Sequence, residues 1–372
     1  MKAATPSEGE NYKAQETVLR ILKGALAAGA SDIHLRAAAT PMVRIRGQLC
    51  PLDHPPLDEA TITGGASALA RWAGISLDLI KRNQCDFSCQ IPNVTRIRCH
   101  LYKQNGTLGL IARNIPSEIP DFTSLRLPPV MKRIAMQNRG LILVTGATRN
   151  GKSTTIASML EYINKTTSKH IVTIEDPIEF VFKDVNSGFS QREVGRDVDS
   201  FEEGLEGALR EDPDVIFIGE LRNHQDINVA ITAAESGRLV VSTMHSKDAT
   251  RAISRIVNFY GEDQRDATRQ RLADCLSAIV SQRLIPKRGG SELVLATEIL
   301  VPAPTIMECI RDGSRLRGLA AALDTCSSEV GSHSFDRMLI RLVRDGVIAT
   351  QTAQAVANNA SDLVRALKLA SR

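Results

Sequence analysis

The segment GATRNGKS, residues 146–153, places two glycines, a lysine and a serine at the GxxxxGK[ST] spacing that cradles phosphate. The apolar run LILVT precedes it and TTIASML follows it, so the loop would join a strand to a helix N-terminus. Backbone N–H groups of Gly146, Ala147, Thr148, Arg149, Asn150, Gly151 and Thr154 would face the phosphate oxygens. Lys152 adds a point charge, and the Ser153 hydroxyl can ligate Mg2+. Between the glycines, Arg149 and Asn150 sit where the spacing rule is permissive. Asn tolerates left-handed backbone better than most residues, so Asn150 is the one expected to keep the turn. Arg149 is expected to point outward, toward the γ-phosphate side or an adjoining subunit.

Hydrolysis also needs a base and an acid that orients the metal. The run VIFI ends in Gly219-Glu220, which supplies a base able to polarise the attacking water. The aspartate that often precedes such a glutamate is absent. Glu175 and Asp176, at the end of HIVTIED, are the candidates to hold the metal with Ser153. In a parallel sheet both strand ends lie on the carboxyl edge, where ligands bind. The plain alternative for either acid is a helix cap or a surface carboxylate. His245 closes RLVVSTMH on the same edge, and could either contact the γ-phosphate or be a satisfied structural histidine.

A third group of residues lies upstream. TRIRCHLY (95–102), Asn105-Gly106 and LGLIAR (108–113) spell a hairpin with a two-residue turn. That register sets Arg98 opposite Arg113, with Arg96 on the same face as Arg98. Like charges directly opposite are destabilising, and solvation at the surface is one answer. The other is a shared anion. The N-terminal region offers none, so the γ-phosphate of a nucleotide on a neighbouring core would serve, which implies arginines acting in trans within a ring.

These residues must be positioned by two kinds of element. Residues 1–114 read as a small α+β domain, beginning with an amphipathic helix over 16–29 that buries Val18, Leu19, Leu22 and Leu26 and stops at Gly29. Residues 115–130 hold four prolines and read as a linker. Over 131–300, LILVTG, HIVTIED, DVIFIGE, RLVVSTMH and LVLATEIL alternate mostly with helical stretches, the pattern of an α/β core with a mainly parallel sheet. Residues 301–372 read as mainly helical. The chain of 372 residues is long enough for these two domains. Its net charge of +4 and 4% aromatic content leave little basic or stacking surface, so no direct nucleic-acid partner is expected. Seven scattered cysteines fit a reduced compartment. No apolar run reaches the ~20 residues of a membrane helix, and MKAATPSEGENYKAQ lacks the apolar stretch of a signal peptide, so a cytoplasmic location is expected.

From about Ala30 to Ile348 the chain resembles the PilT-like ATPases of the type II/type IV secretion superfamily, the hexameric motors that retract type IV pili. The likeness is carried by GASDIHL, RNIPSEIP, TIEDPIEF, QREVGRD, ALREDPDVIFIGELRN, LVVSTMHSKDA and VSQRLIP. It implies a PAS-like N-terminal domain, a RecA-like P-loop core, and ATP with Mg2+ as cofactors. It further implies Lys152 and Ser153 on phosphate and Mg2+, Glu175 and Asp176 as an acidic box, and Glu220 as catalytic glutamate. His245 would belong to a histidine box, and Arg96, Arg98 and Arg113 would reach the nucleotide. The implied partners are copies of the chain in a ring, an inner-membrane pilus platform protein and a paralogous motor, with peripheral membrane association through them. Related motors of conjugation or type IV secretion, a RecA-like nucleic-acid motor and a non-hydrolysing regulatory subunit are the alternatives. The family usually has Gly-Ser at Arg149-Asn150, Asp at Asn223, His at Arg238 and Arg at Met307.

Overall fold

In TRIRCHLY and LGLIAR every second residue is apolar, the pattern of a sheet with one face in a core. The computed structural model, which describes residues 8–45, 47–75, 83–92, 94–115, 118–290, 292–326 and 330–370, builds that sheet. The chain divides into two units, Met1–Glu118 and Ile119–Arg372.

The first unit contains α1 (Glu8–Ala27), β1 (Asp32–Arg36), β2 (Met42–Ile45), β3 (Gln48–Pro51), α2 (Glu59–Ala73), β4 (Gln84–Gln90), β5 (Arg96–Gln104) and β6 (Thr107–Ile115). The strands form an antiparallel sheet in the order β3-β2-β1-β6-β5-β4. Ile97, Cys99 and Leu101 from β5, with Leu110 and Ala112 from β6, join Val18 and Leu22 of α1 and Ile62 and Leu69 of α2 in one core. The turn is as read: Asn105 and Gly106 have φ of 47° and 79°, and Arg98 pairs with Arg113. Helix α1 begins earlier than its apolar stripe suggests, at Glu8, and Gly29 lies beyond its end with φ 80°.

The strands of the second unit, polar GFSQRE apart, are mostly apolar because both faces are covered. They are β7 (Gly140–Thr145), β8 (His170–Glu175), β9 (Gly188–Glu193), β10 (Val215–Ile218), β11 (Leu239–Met244), β12 (Leu276–Pro286) and β13 (Leu293–Leu300). Their order is β13-β12-β7-β11-β10-β8-β9, with every neighbour parallel except β13 on β12. Leu141 and Leu143 of β7 face one core layer, Ile142 and Val144 the other. Strands β9 and β12 did not stand out as strands in the sequence; GFSQRE is too polar, and LSAIVSQRLIP continues directly from a helix.

The helices that bear on the site are α3 (Val130–Ala135), α4 (Lys152–Thr166), α5 (Phe201–Ala208), α6 (His224–Glu235), α7 (Ala249–Asn258) and α8 (Arg265–Cys275). The proline-rich stretch is more than a tether. Pro116 and Ser117 lie outside the described residues, but Phe122 and Leu127 are buried in the layer beneath α3 and α4. The C-terminal region also divides in two. Helices α9 (Pro304–Arg311) and α10 (Leu319–Thr325) complete the layer around α6 and α8. Helices α11 (Phe335–Arg344), α12 (Thr350–Val356) and α13 (Ala360–Ala370) form a separate cluster against the β12–β13 end, where Phe335, Leu339 and Leu342 meet Ile285, Val294 and Ala296. Among the described residues, no helix is long and apolar enough to cross a membrane.

Candidate active site

The loop after β7 closes around its own lysine. Lys152 Nζ donates to the carbonyls of Gly146 at 2.9 Å and Ala147 at 3.1 Å. Gly146 has φ 150°, and a Cβ there would lie 2.6 Å from the Gln282 carbonyl of β12, so only glycine fits. Gly151, with φ 78°, precedes α4 and leaves its first N–H groups without a side-chain cap. Bare donors at a helix N-terminus beside a lysine form an anion cradle. The Ser153 hydroxyl has no hydrogen-bond partner among the described residues.

The expectation for the inner loop is reversed. Arg149, not Asn150, takes the left-handed backbone, with φ 67°. Asn150 is held by a different demand: its Oδ1 accepts the Leu284 N–H at 3.2 Å, which pins the loop to β12. Arg149 is exposed, in keeping with the outward direction expected of it.

From Lys152 a chain of polar contacts runs along the carboxyl edge in the spatial order of the strands. His245, after β11, turns Nδ1 to Lys152 Nζ at 3.5 Å and Nε2 to Glu220 Oε1 at 3.1 Å. These contacts are satisfied when the ring proton sits on Nε2 and donates to the carboxylate. Glu220, after β10, accepts on Oε2 from Arg222 Nε at 2.9 Å, and Arg222 reaches Asp176 Oδ2, after β8, at 3.1 Å. Thus β7, β11, β10 and β8 each place one polar side chain beside the next. Burial lowers the Lys152 ammonium pKa, while the charges of Glu220 and Glu179 act in the opposite direction. Hydrogen bonding to Glu220 is the main cause of the raised Arg222 pKa.

Glu175 stands apart from this chain. It is 6% exposed, and its oxygens accept from Thr173 Oγ1 at 2.8 Å, the Glu179 N–H at 3.3 Å and Gln191 Nε2 at 3.4 Å. Burial pushes its carboxyl up to about 7 despite these bonds. Sequence reasoning did not single out Arg222, Glu179 or the β12 residues Gln282 and Leu284. The Glu-x-Arg spacing in GELRN carried the signal for Arg222; VSQRLIP of β12 was legible as part of the family likeness, but nothing local marked it as a strand beside the phosphate loop. A cavity of about 260 Å³ adjoins the loop, lined by Leu125, Arg126, Gly151, Thr154, Leu284 and Leu293, an apolar floor suited to a nucleobase or ribose.

The hairpin arginines belong to the first unit. Across its sheet one row reads Ser88, Arg98, Arg113, Asp32, Arg44. The expectation that this unit holds no anion for the arginines is incorrect: Asp32, 7% exposed, accepts from Arg113 Nε at 2.7 Å. Burial pushes the Asp32 carboxyl up, but the hydrogen bonds of Arg113 and Ser31 outweigh it and the net shift is downward. Arg98 makes no ion pair among the described residues.

A family model described as type II/IV secretion system protein matches residues 127–291. The type IV pilus retractation ATPase PilT of Pseudomonas aeruginosa is 39% identical over 331 residues, 88% of this chain and 94% of that protein. The chain belongs to the PilT-like ATPases. The type IV pilus ATPase PilU of the same organism is 34% identical over 362 residues, 96% of this chain and 92% of that one. A crystal structure of the pilus retraction motor PilT with bound ADP has TM-score 0.85 and 41% identity, covering 94% of this chain and 99% of the other.

The structure gives physical content to the departures from the PilT-like pattern. Asn223 caps α6, accepting the Asp226 N–H at 2.9 Å in a reciprocal box, and Asn and Asp are nearly equal in that role. Arg238 precedes β11 at its amino end, a strand length of roughly 20 Å from the edge that carries His245. Met307 packs against the core layer of α9, where its thioether fills space. None of the three changes a side chain in the chain from Lys152 to Asp176.

Proposed function

We propose that this protein is an ATP-hydrolysing motor that powers type IV pilus retraction as a homohexameric ring. The observation that carries the reading is the unbroken run Lys152–His245–Glu220–Arg222–Asp176 beside an uncapped helix N-terminus, in a chain of the PilT-like family. The nucleotide's phosphates compete with the Gly146 and Ala147 carbonyls for Lys152 and take up the N–H groups of α4. Glu220 is the general base. Each of its oxygens accepts one donor, from His245 and from Arg222, which orients the carboxylate and leaves a lone pair free on each to take a proton from water.

Residues suited to Mg2+ are present. Ser153 offers an unpartnered hydroxyl, and Glu175 and Asp176 bring carboxylates to the same edge. Bound there, Mg2+ would neutralise charge on the β- and γ-phosphates. Arg98, with Arg96 and Arg113, acts on the nucleotide of a neighbouring subunit. Ring contacts and an inner-membrane platform protein supply membrane association.

The test compares surface pili in cells carrying the wild type and Glu220→Gln. Accumulated, non-retracting pili support the reading, and unchanged pili overturn it. The chain matches two separate pilus ATPases of one organism, PilT and PilU, which supports a second reading: a motor that shares the work with a paralogous ATPase. Retraction in cells that hold this chain as their sole motor decides between the two.

A further inference from the structure

Strand β12 serves two parts of the second unit at once. Gln282, fully buried, donates from Nε2 to Thr155 Oγ1 of α4 at 2.7 Å, and the Leu284 N–H donates to Asn150 of the phosphate loop at 3.2 Å. Arg283 lies between them, and its side chain leaves the strand on the opposite face. Its guanidinium donates to the Lys247 carbonyl at 3.2 Å, the Val356 carbonyl at 2.7 Å and Asn358 Oδ1 at 2.8 Å. Its Cζ also lies 3.8 Å from the centre of the Phe335 ring. Lys247 follows His245 by two residues, Phe335 opens α11, and Val356 ends α12.

Glu298 of β13 reinforces the junction. It is 3% exposed and accepts the Ala249 N–H at 2.8 Å and the Phe335 N–H at 3.3 Å, so one carboxyl holds the first residues of α7 and α11. Asp336 in turn accepts the N–H groups of Asn358 and Asn359 at 2.7 and 2.9 Å. The loop that carries His245 and the C-terminal helices are not joined by a ladder of strands. They are joined through these side chains.

We propose that Arg283 is a positioning residue that couples the α11–α13 helices to the His245 loop, so that nucleotide at the phosphate loop and the helices bias one another. The rigid planar fork of a guanidinium fixes the directions in which it holds carbonyls from two segments and stacks on a ring, which a freely rotating ammonium on a flexible stem does not. A shift of the loop backbone at Lys247 is a shift of His245, and so of its hold on Glu220. Coupling of this kind needs a contiguous network with a demonstrated joint response; Glu298 ties α7 to α11, and Arg283 is the side chain of that network that reaches the loop backbone at Lys247. The inference rests on the ATP-hydrolysis reading for its kinetic consequence but not for its structural one.

The experiment measures hydrogen–deuterium exchange of the full chain with and without Mg2+–ADP, together with ATP turnover. In the wild type, nucleotide should slow exchange both in residues 245–249 and in 335–358. In Arg283→Ala, protection of the phosphate loop should remain, protection of 335–358 should be lost, and kcat should fall about 10-fold with KM changed by less than about 2-fold. Arg283→Lys should recover part of kcat. Nucleotide protection of 335–358 that is absent in the wild type, or that survives in Arg283→Ala, overturns the proposal. Should Arg283→Ala fail to fold, Asn358→Ala at an exposed position cuts one tie on the helical side alone. Weaker protection of 335–358 supports the coupling, and unchanged protection overturns it. A wild type that exchanges as expected but hydrolyses no ATP defeats the functional reading and leaves the coupling standing.

Discussion

The two sheets of this protein gather charged residues by different geometries. In the parallel sheet of the second unit, every strand ends at the same edge, so residues nearly a hundred positions apart come together: Lys152, His245, Glu220 and Asp176 follow the strand order β7, β11, β10, β8. In the antiparallel sheet of the first unit, neighbours are set by register, and the row Arg98, Arg113, Asp32, Arg44 is balanced within the sheet only at Asp32. An edge lined by acid, base and ammonium is a place for chemistry. A row across a sheet with three arginines and one aspartate is a place to meet an anion.

The largest effect expected on this contrast is at the edge. Glu220→Gln keeps the shape and the bond to Arg222 but cannot take a proton, so phosphate release should fall about 10³-fold while nucleotide still binds. Comparable turnover in the variant would break the assignment of the base. Arg98→Ala tests the other side. If the uncompensated arginine stabilises transferring phosphate in a neighbouring subunit, turnover should fall about 10²-fold in assembled protein, below the ceiling for arginine fingers. Mixing Arg98→Ala with Glu220→Gln chains should restore part of it, because each intact group then meets a competent partner. No rescue on mixing would confine the arginine to its own subunit's stability.

The sheet edge was legible because the phosphate loop, the acidic strand ends and His245 each have local signatures. The hairpin was legible because Asn-Gly fixes register. What escaped were partners brought in by topology. Asp32 is visible as part of DIHL, but its pairing with Arg113 depends on β1 lying beside β6, which no local pattern states. Gln282, Arg283 and Leu284 act because β12 runs parallel to the phosphate-loop strand, a placement hidden by its direct continuation from α8. The proline count suggested a linker, and it gave no sign that two apolar residues within it, Phe122 and Leu127, are anchored in the core.

Buried carboxyls in the two units should respond oppositely to pH. Glu298, buried and hydrogen-bonded to the Ala249 and Phe335 N–H groups, is pushed up to about 7 from 4.5; burial is the main cause, and the Arg283 charge acts against it. Its folded form binds the proton more tightly than its unfolded form, so this group favours folding more as pH falls from 7 to 4.5. The stability of wild type relative to Glu298→Gln should therefore rise across that window, by about 2 kcal/mol, read from denaturant midpoints. Asp32 is shifted downward, so its contribution is present above the ordinary aspartate range and is lost only as pH falls below it. Asp32→Asn should accordingly leave the slope between pH 4.5 and 7 unchanged. A slope that Asp32→Asn flattens and Glu298→Gln does not would invert the contrast.

The smallest effect sharpens the edge itself. Arg149 holds φ 67° between Gly146 and Gly151 without the freedom either glycine has. Left-handed backbone costs a residue with a Cβ roughly 1 kcal/mol, and Asn150 cannot relieve it because its side chain is committed to Leu284. Arg149→Gly should raise the thermal midpoint slightly, offset in part by the greater freedom of glycine in the unfolded chain. The exposed guanidinium is expected to matter at the ring interface rather than to the bound phosphate, so nucleotide affinity should hold or rise while cooperativity of turnover changes. Complete loss of binding in Arg149→Gly would show instead that the arginine is part of the cradle. An unchanged Hill coefficient with an unchanged midpoint would show that the position is neither appreciably strained nor coupled to its neighbours.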